Sequence, residues 1–293
     1  MSLLSICEVP APAKLNLFLH VVGRRDDGYH LLQSVFLLID WCDTLHFERR
    51  QDGRLQRHDL GPALPADDLS LRAARALQQA SGCTWGVDLS VDKQVPWGAG
   101  LGGGSSDAAS TLLALNRLWG LHWPRQRLVQ LGLALGADVP FFVGGDNAFV
   151  QGVGERLTAL DLPPAHYAVV KPPTSIATRD IFEHPALKRD SKPLDQAATL
   201  LGSLKSDEYF GCNDLQGAAE DRCEDVKTAA RWLKERFGNS RMTGSGSAVF
   251  SWIASHTGKG APPALLPTAE LPPGWTGRIC LGLQQHPLRG WAD

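Results

Sequence analysis

The run PWGAGLGGGSSDAAS, beginning at Pro96, sets glycines at 98, 100, 102, 103 and 104 between an alternating stretch, VDLSVDKQVP, and an apolar-periodic one, SSDAASTLLALNRLWGL. Alternation is the period of a strand, while Ala108, Leu112, Leu115 and Trp119 fall on one stripe of a helix. The unit is therefore strand, glycine loop, helix. Without Cβ atoms the loop lets backbone close on an anion. The unpaired N–H groups of the helix's first turn, its partial charge of roughly +0.5, and the hydroxyls of Ser105 and Ser106 would converge there. A phosphate is the natural guest. A flexible linker is the weaker reading, because linkers do not lead straight into a hydroxyl-bearing helix start.

Two phosphate motifs compete for this loop. The G-x-x-x-x-G-K-[ST] pattern is absent, since no Lys-Ser or Lys-Thr follows these glycines. The pattern G-x-G-x-x-G is present as Gly98, Gly100 and Gly103, but a dinucleotide site also needs an acidic residue about 20 positions on. No acidic residue lies between Asp107 and Asp138.

Upstream, AKLNLFLHVV (13–22) reads as a strand with Leu15, Leu17 and Leu19 on one side and Lys14, Asn16 and Phe18 on the other. The turn GRRDDGYH follows, and LLQSVFLLIDWCDTLHFERR reads as one or two further strands with a bend at Asp43-Thr44. A helix is expected over 67–79, with acidic residues favouring its start. Further on come a strand in AHYAVVKP, helices at 213–220 and 224–237, strands in SAVFSWIA and GRICLGLQQ, and a surface loop in APPALLPTAELPPGW. The irregular, proline-bearing stretch after Phe149 suggests a boundary at 155–161, dividing the chain into 1–157 and 158–293, the second a smaller α+β unit.

Two residues stand out chemically. Lys14 emerges in mid-strand from an apolar segment, and Asp138 sits between an apolar helix and an apolar run in LGADVPFFVGGDNAFVQGVGE. A partly buried carboxylate needs a partner. A nearby ammonium would keep Asp138 ionised and lower the pKa of an attacking hydroxyl, making a general-base pair. Taken alone, each has a commoner fate: a snorkelling lysine and a helix cap.

Bulk properties narrow the class. The 29 Lys and Arg against 31 Asp and Glu leave a formal charge of -2, so no polybasic field draws nucleic acid or anionic lipid. None of the six cysteines forms a C-x-x-C pair, as reduced thiols in a cytoplasmic protein would not. The first residues, MSLLSICEVPAPAK, are too short an apolar stretch for a signal-peptide core, and no run approaches the roughly 20 apolar residues of a membrane span.

The loop resembles the P-x-x-x-G-L-G-[GS]-S-S motif of the galactokinase, homoserine, mevalonate and phosphomevalonate (GHMP) kinase superfamily. PAKLNLFLHVVGRRDDGYHLLQSVF is similar, almost residue for residue, to the N-terminal signature of the bacterial 4-diphosphocytidyl-2-C-methyl-D-erythritol kinases. LGADVPFFVGGDNAFVQGVGERL and RMTGSGSAVF resemble that family's second and third motifs.

The resemblance implies an α+β, two-domain fold with the active site in the inter-domain cleft. Residues 1–157 would be an ATP-binding, ribosomal S5 domain 2-like unit, and 158–293 a ferredoxin-like unit on the substrate side. ATP, with Mg²⁺, would phosphorylate the 2-hydroxyl of a small cytidine diphosphate substrate. Lys14 and Asp138 would be the catalytic pair. Pro96, Trp97, Gly98, Ala99, Gly100, Leu101, Gly102, Gly103, Gly104, Ser105 and Ser106 would hold the nucleotide, with Trp97 and Ala99 departing from the family's usual residues. Asn16 would lie near the reacting erythritol, and Tyr29, His30, Thr178 and Phe182 around the cytosine. No protein ligand for the metal is evident. A homoserine- or mevalonate-type kinase and an inactive nucleotide-binding module are the alternatives. GRRDDGYH argues against the first, the intact Lys14 and Asp138 against the second.

Overall fold

The computed structural model describes residues 3–194, 211–253 and 266–293. Its spine is a long antiparallel hairpin of β1 (Ser5–Arg24) and β2 (His30–Arg50), which sets Lys14 opposite Leu38 and Asn16 opposite Phe36. The other edge of β2 is divided. β5 (Ala148–Gly152) pairs with residues 32–36 and β4 (Gly86–Asp92) with residues 44–50. β3 (Leu55–Asp59) runs parallel to β4, and β6 (Arg156–Ala159) antiparallel to β5, completing a six-stranded sheet. A second, four-stranded sheet takes the order β10–β7–β9–β8, from β7 (His166–Lys171), β8 (Arg241–Met242), β9 (Val249–Ile253) and β10 (Thr276–Leu281).

The layers follow from side-chain parity. Phe36, Leu38, Leu45 and Phe47 of β2 join a core with α1 (Leu69–Ser81), α2 (Gly103–Leu118), α3 (Arg125–Leu133) and α4 (Val139–Gly144). Val35, Leu37, Ile39 and Trp41 of the same strand join a second core with Tyr167, Val169 and Phe250 of the other sheet. A third core lies on that sheet's far face, against α6 (Gln216–Arg222) and α7 (Glu224–Phe237). The order is helices, sheet, sheet, helices. Strands buried on both faces lose the apolar–polar alternation of a half-solvated sheet, which is why LFLHVV and VFLLI are nearly continuous in apolar residues. Each fully buried Phe, such as Phe18 or Phe250, contributes roughly 1.5–3 kcal/mol of burial.

Two expectations are corrected. β2 does not bend at Asp43-Thr44. The irregularity lies just upstream, where Ile39, Asp40 and Trp41 stand opposite Ala13 alone, and the inward parity of β2 changes across it. Phe18 does not share a face with Lys14 and Asn16. A register shift between Asn16 and Leu19 turns Phe18 into the inter-sheet core beside Leu15 and Leu17, while Leu19 faces the cleft described below.

The expected helix over 67–79 forms as Leu69–Ser81, with the Asp68 carboxylate capping the N–H groups of Ser70 and Leu71. The expected loop at 261–275 is described only from 266, where Thr268–Glu270 makes a 3₁₀ turn. Its first part lies outside the described residues. After β10 the chain returns to the first sheet, where Gly282 bridges Ile39 and Leu288 enters the helix-side core. All six cysteines are free. Among the described residues no helix is long and apolar enough to cross a membrane.

Candidate active site

A cavity of about 260 Å³ opens where the first sheet, the glycine loop and the second sheet's edge meet. Lys14 and Asn16 line it from β1, Gly98, Gly100 and Gly102 from the loop, Asp138 from the start of α4, Thr178 and Phe182 from α5 (Thr178–Phe182), and Gly244 to Gly246 from the turn after β8. Residues far apart in sequence thus converge.

Lys14 is 3% exposed, and burial drives its pKa below the ordinary lysine value while Asp138 pulls it back up. Its ammonium lies 3.9 Å from Asp138 Oδ2, donates to Asn16 Oδ1 and stands 4.9 Å from the centre of the Phe36 ring. Asp138 occupies the N-cap position of α4, yet its side chain accepts no helix N–H. That removes the helix-cap reading. A carboxylate that caps nothing, partly exposed to the cavity and beside a buried cation, is free to take a proton from a bound hydroxyl.

The glycine loop is held at both ends. On one side it is bound to the turn after β8, with Ala248 N donating to Ala99 O (3.1 Å) and Ser247 N to Gly98 O (3.3 Å). On the other, Lys14 N donates to Leu101 O at 2.9 Å. A Cβ on Gly100 (φ +71°) would collide with Thr243 O, and one on Gly102 (φ +74°) would lie 2.9 Å from Phe142. Gly102 is also the N-cap of α2, so no side chain covers the helix's first N–H groups. Ser105 is half-buried at this opening. Ser106 is fully buried, and its hydroxyl has no partner among the described residues. Ala99 is buried at 2% and packs in the inter-sheet core, whereas Trp97 is 58% exposed.

Beneath the loop lies a buried cluster that the sequence reading missed. Lys93, where β4 ends, donates to Asp43 of β2 and to Asp107 of α2 (2.7 Å), while Asp43 Oδ1 accepts from Gln94 N (2.6 Å) and Val95 N (2.7 Å). The cluster ties the residues entering the loop to the helix leaving it. With two carboxylates for one ammonium, burial and Asp43 push Asp107 up to about 8, against the pull of Lys93. No spacing rule marks these three residues, which belong to three separate elements.

The third motif serves as scaffold. Thr243 Oγ1 accepts from Asn16 N at 2.9 Å, and Asn213, also missed, donates to Met242 O and Gly244 O, both at 2.8 Å. Thr178 and Ser245 hydroxyls are 2.8 Å apart. His30 and Phe182 are brought together as stacked rings with centroids 5.0 Å apart, Phe182 lining the cavity and His30 standing just outside its lining, while Tyr29 is 64% exposed on the β1–β2 turn. Arg189, missed as well, donates to His30 Nε2.

The chain is similar to known proteins along its whole length. Residues 68–146 match the GHMP kinases N terminal domain. The chain is 62% identical over 292 residues to the 4-diphosphocytidyl-2-C-methyl-D-erythritol kinase of Methylibium petroleiphilum, covering 100% of both chains, and 54% identical to that of Acidovorax ebreus, covering 98% of both. It is similar to a crystal structure of 4-(cytidine 5'-diphospho)-2C-methyl-D-erythritol kinase (TM-score 0.76, 34% identity, 94% of this chain and 99% of that one). A homoserine kinase from Cytophaga hutchinsonii shares the fold at 16% identity (TM-score 0.66, 96% and 95% covered).

Proposed function

Because the chain belongs to the GHMP kinases, in their 4-diphosphocytidyl-2-C-methyl-D-erythritol kinase branch, we propose that it transfers the γ-phosphoryl group of ATP to the 2-hydroxyl of 4-diphosphocytidyl-2-C-methyl-D-erythritol, in the non-mevalonate route to isoprenoids. The observation that carries the mechanism is the uncommitted Asp138 carboxylate facing buried Lys14 beside a helix start that no side chain caps.

The nucleotide phosphates lie along Pro96 to Ser106, held by the backbone N–H groups of the α2 first turn and by its dipole. Asn16 and Lys14 place the erythritol hydroxyl against Asp138. Asp138 takes the hydroxyl proton as the oxygen forms its bond to the γ-phosphorus. The bond from that phosphorus to the β–γ bridging oxygen breaks, and ADP leaves with the electron pair. Lys14 balances the charge of Asp138 before the step and the charge that develops during it. Tyr29, His30, Thr178 and Phe182 hold the cytosine end.

Mg²⁺ fits as an ion carried mainly by the nucleotide. Asp138 is the single carboxylate among the described residues that line the cavity, and the Ser105 hydroxyl lies 3.9 Å from where a Cβ on Gly136 would stand, beside the same turn. With that carboxylate engaged as the base, the ion would be carried by the nucleotide phosphates and water, with Ser105 as the nearest protein oxygen in the first turn of α2, and when bound it neutralises phosphate charge.

We place the ATP-binding unit at 1–157 and the substrate-side unit at 158–293, with the chain's last residues packing back on the first. A cytoplasmic site accords with the six free cysteines, and the absence of a nucleic-acid partner with the formal charge of -2. The deciding experiment is coupled ADP release with and without the cytidyl alcohol. ADP formation that depends on it supports the reading, and formation with homoserine or mevalonate instead overturns it.

A further inference from the structure

One side chain closes the segment after α5 onto the β1–β2 turn. The Arg189 guanidinium donates from Nε to His30 Nε2 (3.1 Å), from one terminal nitrogen to Leu187 O (3.0 Å), and from the other to Phe182 O and His184 O (3.0 Å each). A guanidinium only donates, and it keeps its proton in proteins. His30 Nε2 must therefore present a lone pair, which leaves the ring's proton on Nδ1. The imidazolium form is opposed as well, since burial, Arg189 and Arg24 all lower the His30 pKa. Stacking on Phe182, with 29° between the planes, fixes the ring's orientation. Among the described residues Nδ1 has no hydrogen-bond partner.

We infer that Arg189 is a specificity-positioning residue: it locks His30 as an Nδ1–H donor, so that a base bound beside Phe182 must offer a ring acceptor, as cytosine N3 does and uracil N3–H does not. Uracil would set two N–H groups face to face. Moving the histidine proton to Nε2 does not relieve this, because it then meets the Arg189 Nε–H. Leaving that donor unpaired once a bound base covers it costs roughly tenfold or more in binding. The inference rests on the placement of the base at His30 and Phe182 proposed above.

The first test is ¹⁵N NMR of His30 in the free, full-length protein. The neutral Nδ1–H tautomer is expected, and the Nε2–H tautomer overturns the proposal whatever the substrate proves to be. The second compares the cytidyl substrate with its uridyl analogue in Arg189→Met. The expected result is a roughly tenfold rise in KM for the cytidyl substrate, with kcat and the KM for ATP within about twofold of wild type. The cytidyl-to-uridyl ratio of kcat/KM should fall about tenfold, and Arg189→Lys, which retains a donor, should restore part of it. A ratio unchanged in Arg189→Met overturns the proposal. Should that variant not fold, the wild-type tautomer still decides. If wild type turns over neither nucleotide, the assigned reaction fails while the NMR result stands by itself.

Discussion

Asp138 sits at the N-cap of α4 and leaves that helix uncapped, holding its carboxylate 3.9 Å from the ammonium of Lys14. An aspartate at this position ordinarily stabilises its helix by accepting an N–H, typically for about 1 kcal/mol. Here that contribution is forgone, and the carboxylate is left for chemistry.

Replacing Asp138 therefore separates activity from stability. Asp138→Asn should melt only roughly 2–4 °C below wild type, because no cap is lost and the ion pair it gives up with Lys14 is partly exposed on the Asp138 side. Turnover should fall by roughly 10²- to 10⁴-fold, the span of general-base catalysis. Thermal melting with ADP release checks both, and a large loss of stability would return Asp138 to a structural role.

Lys14 should set the alkaline limit of activity. Burial lowers its pKa, so the ammonium that supports Asp138 is lost below the ordinary lysine value of 10.5. The alkaline limb of kcat/KM should accordingly fall below pH 10.5. Between the depressed folded value and 10.5 the unfolded chain binds more protons, so wild-type stability rises with pH across that window. Lys14→Met, which keeps an unbranched side chain at this buried position, should flatten the slope, and its persistence in Lys14→Met would assign it to another group.

The cluster beneath the loop makes a prediction of opposite sign. Asp107 titrates near 8 when folded and near 3.8 when unfolded, so between those values the folded protein binds more protons and stability falls as pH rises. Asp107→Asn removes that loss. Its melting temperature relative to wild type should climb from pH 4 to pH 8 and level off above. Parallel curves for the two proteins would show that Asp107 does not hold its proton. Asp43→Ala, which strips Lys93 of one partner and two backbone N–H groups of their acceptor, should cost about 3–5 kcal/mol and raise the KM for ATP.

What the sequence discloses follows the range of the interactions. The strand–loop–helix unit around Gly98 to Ser106 is local, set by alternation, glycine content and helical spacing, and it forms where expected. Lys14 and Asp138 are legible as oddities, a charge in an apolar strand and an acid at an apolar junction. Their meeting depends on the packing of α4 against the hairpin, which no local pattern encodes. Phe18 was misplaced because a two-residue period cannot foresee the register shift between Asn16 and Leu19. Arg189, Asn213, Asp43 and Lys93 stayed hidden for a related reason: each takes its role from backbone carbonyls or side chains dozens of residues away.

The glycines themselves offer the last test, because two of them are required for different reasons. Gly100→Ala meets Thr243 O at a left-handed φ of +71°, so it should destabilise the protein by at least about 1–3 kcal/mol before any ligand is considered. Gly104 is different: it lies in the first turn of α2 without a positive φ, and the nearest atom to a Cβ there is Leu69 Cδ1 at 3.8 Å. The protein itself has room for alanine, which favours helix by up to about 1 kcal/mol over glycine. A phosphate resting on the backbone would not have that room. Gly104→Ala should then melt at or above the wild-type temperature while its KM for ATP rises about tenfold or more and the KM for the alcohol stays near wild type. An unchanged KM for ATP would mean that the phosphates do not rest on this turn.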